Sequence, residues 1–298
     1  MSAETSPFTG QLYGVERVCR VFETPRSTFY AHQAKLNPTP VTPPQKRGPK
    51  SRVADAELLE LVKADLESTP FSGEGHRKVC ARLRVVKNVH VAPKRVLRLM
   101  RENNLLSPHR GRQGKSHVHD GTIITNDPNV MWGTDGIRVQ TVEDNWGWVF
   151  VAVEHWNAEC VGFHVCKEGT RYAALEPIAM GIKRIFGEVA SDTARGLLLR
   201  LDHGPQYISE HFLNQVRFWG ITPSFSFVAE PQTNGVAERF NRTLKEQVFN
   251  GRIYKNLDEV RRAVAAFVER YNAEWRVEKL GFKSPLEARE AQALRAAA

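Results

Sequence analysis

The sequence has few cysteines and no long hydrophobic run, which argues against a secreted or membrane-embedded protein. Its four cysteines are Cys19, Cys80, Cys160 and Cys166, and no two of them form a C-x-x-C pair. No secretory signal is visible, and no segment approaches the roughly 20 apolar residues that a membrane-spanning helix needs. We therefore expect reduced thiols, a cytoplasmic location and no membrane role.

Acidic residues are scarce in the first 120 residues, which hold 11 of them against 21 lysines and arginines. From Gly121 onward the chain is almost balanced, with 22 acidic and 21 basic residues. The whole positive excess of the chain therefore lies in its first part. This asymmetry is typical of a nucleic-acid-binding arm attached to a nearly neutral core.

Residues 1–36 are predicted to form a helix-turn-helix, because two short segments with helical spacing of apolar residues flank a turn. Arg26, Thr28 and Tyr30 would lie on its recognition helix and contact DNA. An ordinary helical hairpin fits the same pattern. Residues 37–54 are rich in proline and basic residues, and we expect an extended linker there.

A second helix-turn-helix-like helical domain is predicted over residues 55–107, followed by a basic linker over 108–128. Its last helix places apolar residues on one face and cations on the other, which favours DNA contact. Four cations on that helix are predicted to face outward and to bind DNA: Lys94, Arg95, Arg98 and Arg101.

From residue 129 the apolar pattern changes from the helical to the strand period. Residues 130–142, 146–153 and 159–167 read as three consecutive strands separated by turns. A helix, a strand that ends at Asp202, a second helix, a fifth strand over 222–228 and a further helix follow. The order βββαβαβα predicts an α/β fold with a mixed five-stranded sheet flanked by helices.

Three acidic residues stand out in this second part. Asp202 ends the apolar run from Leu197 to Leu201 and precedes a His-Gly-Pro turn, Asp135 lies inside a predicted strand, and Glu238 follows Asp202 with 35 residues between them. A carboxylate is costly to bury without a positive partner, and three carboxylates together would repel. Such a set makes sense around bound metal, and hard oxygen ligands suit Mg²⁺ or Mn²⁺.

The predicted helix that begins near Glu238 also carries two cations. Arg242 and Lys245 follow Glu238 at i+4 and i+7, so all three share one face. This helix would present a metal ligand and two cations to a nucleic-acid backbone, although a solvated face with a Glu–Arg ion pair fits the same spacing. The remaining residues, 251–298, are assigned to a C-terminal helical extension that packs on the core.

Several stretches together resemble the DDE transposases of bacterial insertion sequences, in particular their second-frame (OrfB-type) product with a retroviral-integrase-like core. The stretches are VCRVFETPRSTFY, PFSGEGHRKVCARLR, WGTDG, LDHGPQYIS, NGVAERFNRTLKEQ and YNAEW…LGFKSPLEA. The resemblance implies an RNase H-like core over 129–250 with Asp135, Asp202 and Glu238 as a catalytic triad. It also implies that the triad holds two Mg²⁺ or Mn²⁺ ions, that Lys245 holds the DNA end, and that Gln206 and Tyr207 orient the site.

The implied activity is cutting one strand at an element end and joining its 3′-hydroxyl to target DNA. The implied partners are the terminal inverted repeats, target DNA, further copies of the chain and an upstream-frame (OrfA-type) protein, in a nucleoid-associated setting. Two departures from the family pattern are Val277, where a histidine is frequent, and His203. An RNase H-like nuclease without strand transfer and a catalytically dead DNA-binding regulator remain alternatives.

Overall fold

The computed structural model describes residues 2–36, 52–107, 123–225 and 235–297, and it divides into two compact units, Met1–Arg52 and Val53–Ala298. The first unit contains helices α1 (Gly14–Val21) and α2 (Arg26–Leu36). Helix α1 buries Cys19, whereas α2 buries none of its side chains. The division between the units falls inside the predicted linker.

The second unit begins with three helices, α3 (Asp55–Ser68), α4 (His76–Lys87) and α5 (Pro93–Glu102). They pack around a common apolar cluster that includes Leu58, Val62, Val79, Leu83, Val96 and Met100. Beside this cluster, Arg82 donates to Asp65 at 2.7 Å and also contacts Glu74. Because a buried carboxylate needs a partner, this ion cluster ties α3 to α4 and to the loop between them.

A mixed five-stranded sheet follows, in the spatial order β3-β2-β1-β4-β5. Its strands are β1 (Met131–Thr141), β2 (Asn145–Glu154), β3 (Cys160–Cys166), β4 (Leu198–Leu201) and β5 (Thr222–Phe225). The first three strands are antiparallel neighbours, whereas β4 runs parallel to β1 and β5 parallel to β4. The predicted α/β fold is therefore confirmed, including its three consecutive strands; the end of the predicted fifth strand lies outside the described residues.

Helices cover both faces of the sheet, and each face has its own apolar cluster. One face carries α6 (Arg171–Phe186), α7 (Pro205–Ile208) and α8 (Glu210–Phe218). The other carries α9 (Gly235–Leu244), a π-helix (Lys245–Phe249) and α10 (Leu257–Glu274), and the chain ends with a 3₁₀ turn (Glu278–Leu280) and α11 (Pro285–Ala297). Along the described parts of the chain, no helix is both long and apolar enough to cross a bilayer.

Local signals fix where several of these helices begin. Thr170 accepts a hydrogen bond from the Ala173 N–H at 3.2 Å and caps α6. Ser284 and Glu287 form a reciprocal capping box at the start of α11, with distances of 2.8 and 3.2 Å. Such caps satisfy backbone N–H groups that the first turn of a helix leaves unpaired. They therefore fix the residues at which the helices beside the sheet begin.

Candidate active site at the edge of β1 and β4

Asp135 lies in the middle of β1, opposite Val151 of β2. Its Oδ1 accepts a hydrogen bond from the Gly136 N–H at 2.7 Å, and its Oδ2 accepts one from Asn241 Nδ2 at 2.8 Å. Burial raises the pKa of this carboxyl above its ordinary value, and the hydrogen bonds from Asn241 and Gly136 act in the opposite direction. Asp135 is therefore a partly desolvated carboxylate held in one orientation by its neighbours.

Asp202 directly follows β4, and the strand register brings it level with Asp135. In the parallel ladder Gly133 pairs with Arg200, so extending that register by two residues aligns Asp202 with Asp135 on the neighbouring strand. Neighbouring strands lie about 4.8 Å apart. The charge of Asp202 accordingly raises the pKa of Asp135 further. The parallel pairing of β1 and β4 thus brings together two acids that are far apart in the sequence.

The turn after Asp202 is shaped by its carboxylate. Asp202 Oδ1 accepts a hydrogen bond from the Gly204 N–H at 2.8 Å. A Cβ at position 204 would lie 2.9 Å from this oxygen and 2.8 Å from Gln206 Nε2, so glycine keeps the approach open. The side chain of His203 stacks on Phe225 with ring centroids 5.7 Å apart. His203 therefore packs against the next strand.

Glu238 lies in the first turn of α9, with its side chain at the surface. Burial raises its pKa, the charge of Asp135 raises it further, and the charge of Arg242 lowers it. Among the described residues, Glu238 forms no ion pair with Arg242. The surface ion pair that their i,i+4 spacing would permit is therefore not formed in this structure. The pKa effect of Asp135 indicates that helix α9 carries Glu238 toward the aspartate pair.

Taken together, the structure brings Asp135 into electrostatic contact with both other acids, but more closely with Asp202. Across the described ranges, no three His, Cys, Asp or Glu side chains come close enough together to hold a metal ion. The aspartate pair nevertheless fits a divalent cation, because the charge of Asp202 raises the pKa of Asp135 and a shared positive charge would stabilise both carboxylates. Oxygen-only donors favour Mg²⁺ or Mn²⁺ over softer metals.

Two further residues of the site lie behind the aspartates. Tyr207 is fully buried, and burial together with the charges of Asp135 and Asp202 raises the pKa of its phenol well above the ordinary value. Asn241, which the sequence analysis missed, is 3% exposed and binds Asp135 through its amide nitrogen. A signal for it exists, because Asn241 lies three residues after Glu238 and therefore on the same helix face.

The two cations predicted on this helix lie at the surface beside the acids. The charge of Lys245 lowers the pKa of Asp135, and the charge of Arg242 lowers that of Glu238. Lys245 is also the first residue of the π-helix that continues α9. Both side chains are exposed.

The predicted recognition helix of the first unit presents its three predicted residues to solvent. Arg26, Thr28 and Tyr30 all lie on α2 with exposed side chains, and Tyr30 is 50% exposed. An exposed tyrosine beside a cation is suited to contact with a nucleic-acid backbone. Their accessibility leaves the predicted DNA contact open to experiment.

The expectation for α5 needs a correction, because two of its four cations do not simply face outward. Arg95 is only 19% exposed in its side chain, and it donates to Asp55 Oδ1 at 2.7 Å and to the Val53 carbonyl at 2.7 Å. Arg98 donates to Asp55 Oδ2 at 2.5 Å and to Glu102 at 2.9 Å. Both arginines bind the same carboxylate, Asp55, and thereby hold α5 against the start of α3.

The other two cations of α5 match the prediction of an outward face. Lys94 and Arg101 are exposed, and neither forms an ion pair within the part of the chain that the structure describes. Helix α5 therefore keeps two side chains that are available to phosphates, rather than four.

Comparison with known proteins identifies two domains in the chain. Residues 219–285 match the family described as "Integrase core domain", and residues 69–113 match the family described as "HTH-like domain". The second match contains α4 and α5, and the first contains β5, α9 and α10. Both domain types were expected from the resemblance of the sequence.

The curated relatives include the transposase for insertion sequence element IS629 of Shigella sonnei, 25% identical over 94% of this chain and 92% of that protein. The transposase InsD for insertion element IS2 of Escherichia coli is 28% identical over 72% of each chain. Similar solved structures are the catalytic core domains of HTLV-2 integrase, with 17% identity over 54% of this chain and 96% of that one (TM-score 0.40), and of BIV integrase, with 20% identity over 56% and 99% (TM-score 0.39). The chain thus combines a segment that matches an HTH-like domain with one that matches an integrase core domain, and it is similar over most of its length to insertion-sequence transposases.

Proposed function

We propose that the protein is the transposase of an insertion sequence, and that Asp135, Asp202 and Glu238 are its catalytic residues. It cuts one DNA strand at an element end and transfers the freed 3′-hydroxyl to a new phosphodiester bond. The observation that carries the proposal is the parallel register of β1 and β4, which aligns Asp135 with Asp202 in a chain homologous to transposases. Integrase-type cores in general depend on divalent metal ions.

The finer part of the proposal concerns the metal. Asp135, Asp202 and Glu238 would together hold two Mg²⁺ or Mn²⁺ ions, with Asp135 contacting both. Held there, such ions would supply activation of the attacking water or 3′-hydroxyl and charge stabilisation of the leaving 3′-oxygen. Glu238 lies exposed in the first turn of α9, and the charge of Asp135 raises its pKa, which supports its place beside the aspartate pair.

The chain's own residues hold the site and the DNA in place. Asn241 fixes the orientation of the Asp135 carboxylate, because its amide donates to one of the two oxygens. Lys245 and Arg242 would neutralise phosphates of the DNA end beside the acids. The buried ring of Tyr207 supports the turn that follows Asp202. This division leaves binding to the cations and phosphoryl transfer to the carboxylates.

DNA is the partner that both domain types indicate. We propose that the DNA comprises the terminal inverted repeats and the target, that Arg26, Thr28 and Tyr30 help to bind it, and that further copies of the chain and an upstream-frame (OrfA-type) protein join the complex. The domain boundaries at residues 36, 54, 107, 128 and 250 belong to the same proposal. They separate two DNA-binding regions from the catalytic core and its helical extension.

The test is a strand-transfer assay with Mg²⁺ and duplexes that carry the inverted repeats flanking the gene. Asp202→Asn should abolish both cleavage and joining, because it removes a charged metal ligand, while DNA retention stays within about twofold of wild type. The matched control is Asp192→Asn, which removes an exposed carboxylate paired with Arg195 outside the site and should leave the products unchanged.

The outcomes of this assay distinguish a transposase from a nuclease and from a DNA-binding regulator. Joined product that disappears in Asp202→Asn supports the transposase. Cleavage without joining would instead identify a nuclease, and salt-sensitive binding without any chemistry would identify a DNA-binding regulator. Loss of DNA binding in Asp202→Asn would contradict the division of labour between the arm and the core.

A further inference from the structure

The helix that carries Glu238 changes its geometry where it passes the active site. Helix α9 ends at Leu244, and the next five residues form a π-helix in which the Asn250 N–H donates to the Lys245 carbonyl at 2.8 Å. A π-turn is rare because its wider spacing packs poorly, and it recurs at functional positions. It also redirects the side chains after Lys245 relative to those of a continued α-helix.

Gln247, in the middle of this π-helix, clamps a loop from a distant part of the chain. Its Oε1 accepts a hydrogen bond from the Ser72 N–H at 3.0 Å, and its Nε2 donates to the Ser72 carbonyl at 2.8 Å. The glutamine amide therefore pairs with both backbone groups of one residue, 175 positions away. Such two-point pairing fixes direction as well as distance, because donor and acceptor must align together.

An apolar contact lies next to this clamp. Phe71 is 6% exposed and belongs to the apolar cluster under α9 and α10, where it meets Trp275 edge-on with ring centroids 4.9 Å apart. Arg77 at the start of α4 also donates to Glu278 Oε1 at 2.6 Å. Phe71 therefore buries apolar surface at this loop, whereas the directional hydrogen bonds of Gln247 set the orientation of the loop.

The loop connects two parts of the molecule with different tasks. It lies between α3 and α4, inside the segment that matches the HTH-like domain, whereas the π-helix directly continues the helix of Glu238 and Lys245. We propose that Gln247 is a positioning residue that fixes the HTH-like domain relative to the catalytic carboxylates, so that the cut falls at a set distance from the bound DNA sequence. This inference rests on the proposed transposase function.

The experiment maps the position at which wild type and variants cut DNA ends. In the altered substrates, one to three base pairs are inserted between the inner part of the inverted repeat and the terminus of the element. Wild type should cut at one position and lose activity on the inserted substrates. Gln247→Ala should lower the preference for the main cut position by about tenfold, because both hydrogen bonds to the Ser72 backbone are lost, and should tolerate the insertions. DNA affinity should stay close to that of wild type.

A graded series and a matched control separate positioning from general damage. Gln247→Glu keeps the acceptor but loses the donor to the Ser72 carbonyl, and it should lie between wild type and Gln247→Ala. Ser72→Ala keeps both backbone groups and removes only the long contact of the Ser72 hydroxyl with Gln247 Oε1 at 3.4 Å, so it should cut nearly as wild type does. Gln292→Ala removes a half-buried glutamine that contacts Asp127 at 3.3 Å, and it should also cut as wild type does.

The results distinguish this inference from the proposed function. If wild type cuts no DNA end, the proposed function fails. If wild type cuts at one position and both Gln247 variants cut there with the same preference and the same sensitivity to insertions, the positioning role is refuted. Should Gln247→Ala fail to fold, Gln247→Glu carries the test, and equal damage by Ser72→Ala would also refute the clamp.

Discussion

Replacing His155 with leucine should remove a source of acid sensitivity from the fold. His155 directly follows β2 and is 3% exposed, and both of its ring nitrogens are buried without a partner in the described structure. Its backbone makes the useful contacts, with the N–H donating to Met131 and the carbonyl accepting from Lys279 Nζ at 2.5 Å. Leucine keeps both backbone bonds and loses no side-chain hydrogen bond.

The size of the effect follows from the pKa of this imidazole. Burial, followed by the charges of Lys279 and Arg200, lowers it from an ordinary value of 6.5 to about 4. As the pH falls below 6.5, the unfolded chain takes up a proton that the native state refuses, so the free energy of unfolding declines until the pH reaches about 4. At about 1.4 kcal/mol per pKa unit, the full loss is about 3 kcal/mol.

Urea unfolding followed by tryptophan fluorescence at pH 7, 6, 5 and 4.5 would measure this loss. The free energy of unfolding of His155→Leu should decline less than that of wild type, by about 2–3 kcal/mol at pH 4.5. At pH 7 the variant should be at least as stable, because burying an unpartnered polar group is unfavourable. The control is His211→Leu at an exposed position. Parallel curves for wild type and His155→Leu would refute the reasoning.

Three further predictions concern helix α5 and the sheet. Replacing Lys94 and Arg101 together with alanine should leave the fold intact and reduce the slope of log affinity against log salt by about two, whereas Arg95→Ala should lower the melting temperature because it removes the bonds of Arg95 to Asp55 and to the Val53 carbonyl; an unchanged salt slope in the double variant would show that neither cation touches DNA. Gly162→Ala should destabilise the core by about 1–3 kcal/mol or more in thermal unfolding, because its Cβ would lie 2.0 Å from the Pro177 carbonyl oxygen, and a variant as stable as wild type would contradict that contact.

Much of the fold could be predicted from the sequence because its signals are local. Strands β1 to β3 show the strand period between turn residues, and the caps Thr170 and Ser209 stand directly before the helices that they start. In α10 the apolar residues that recur at helical spacing are buried: Val260, Val264, Phe267, Val268 and Tyr271. Periodicity and capping depend on neighbours within a few residues, so they can be read without tertiary structure.

The predicted site shows which features could be predicted from the sequence and which contacts could not. Asp135 and Asp202 stand out because a carboxylate in or after an apolar run is unusual, and the sheet register then aligns them. The pairing of Arg95 with Asp55 and the clamp of Gln247 on Ser72 leave no local trace, because the partners are 40 and 175 residues apart. Contacts of this kind depend on how the elements pack.

The ion pairs of the N-terminal helices do not change the positive charge excess of the first 120 residues. Each pair, such as Arg82 with Asp65 or Arg98 with Asp55, removes one cation and one anion from the count. The first 120 residues hold 21 basic and 11 acidic residues, so an excess of ten positive charges remains however these residues pair with one another, even where Arg95 and Arg98 share Asp55. Pairing therefore decides which side chains can bind phosphate, whereas the excess that attracts DNA is fixed by composition.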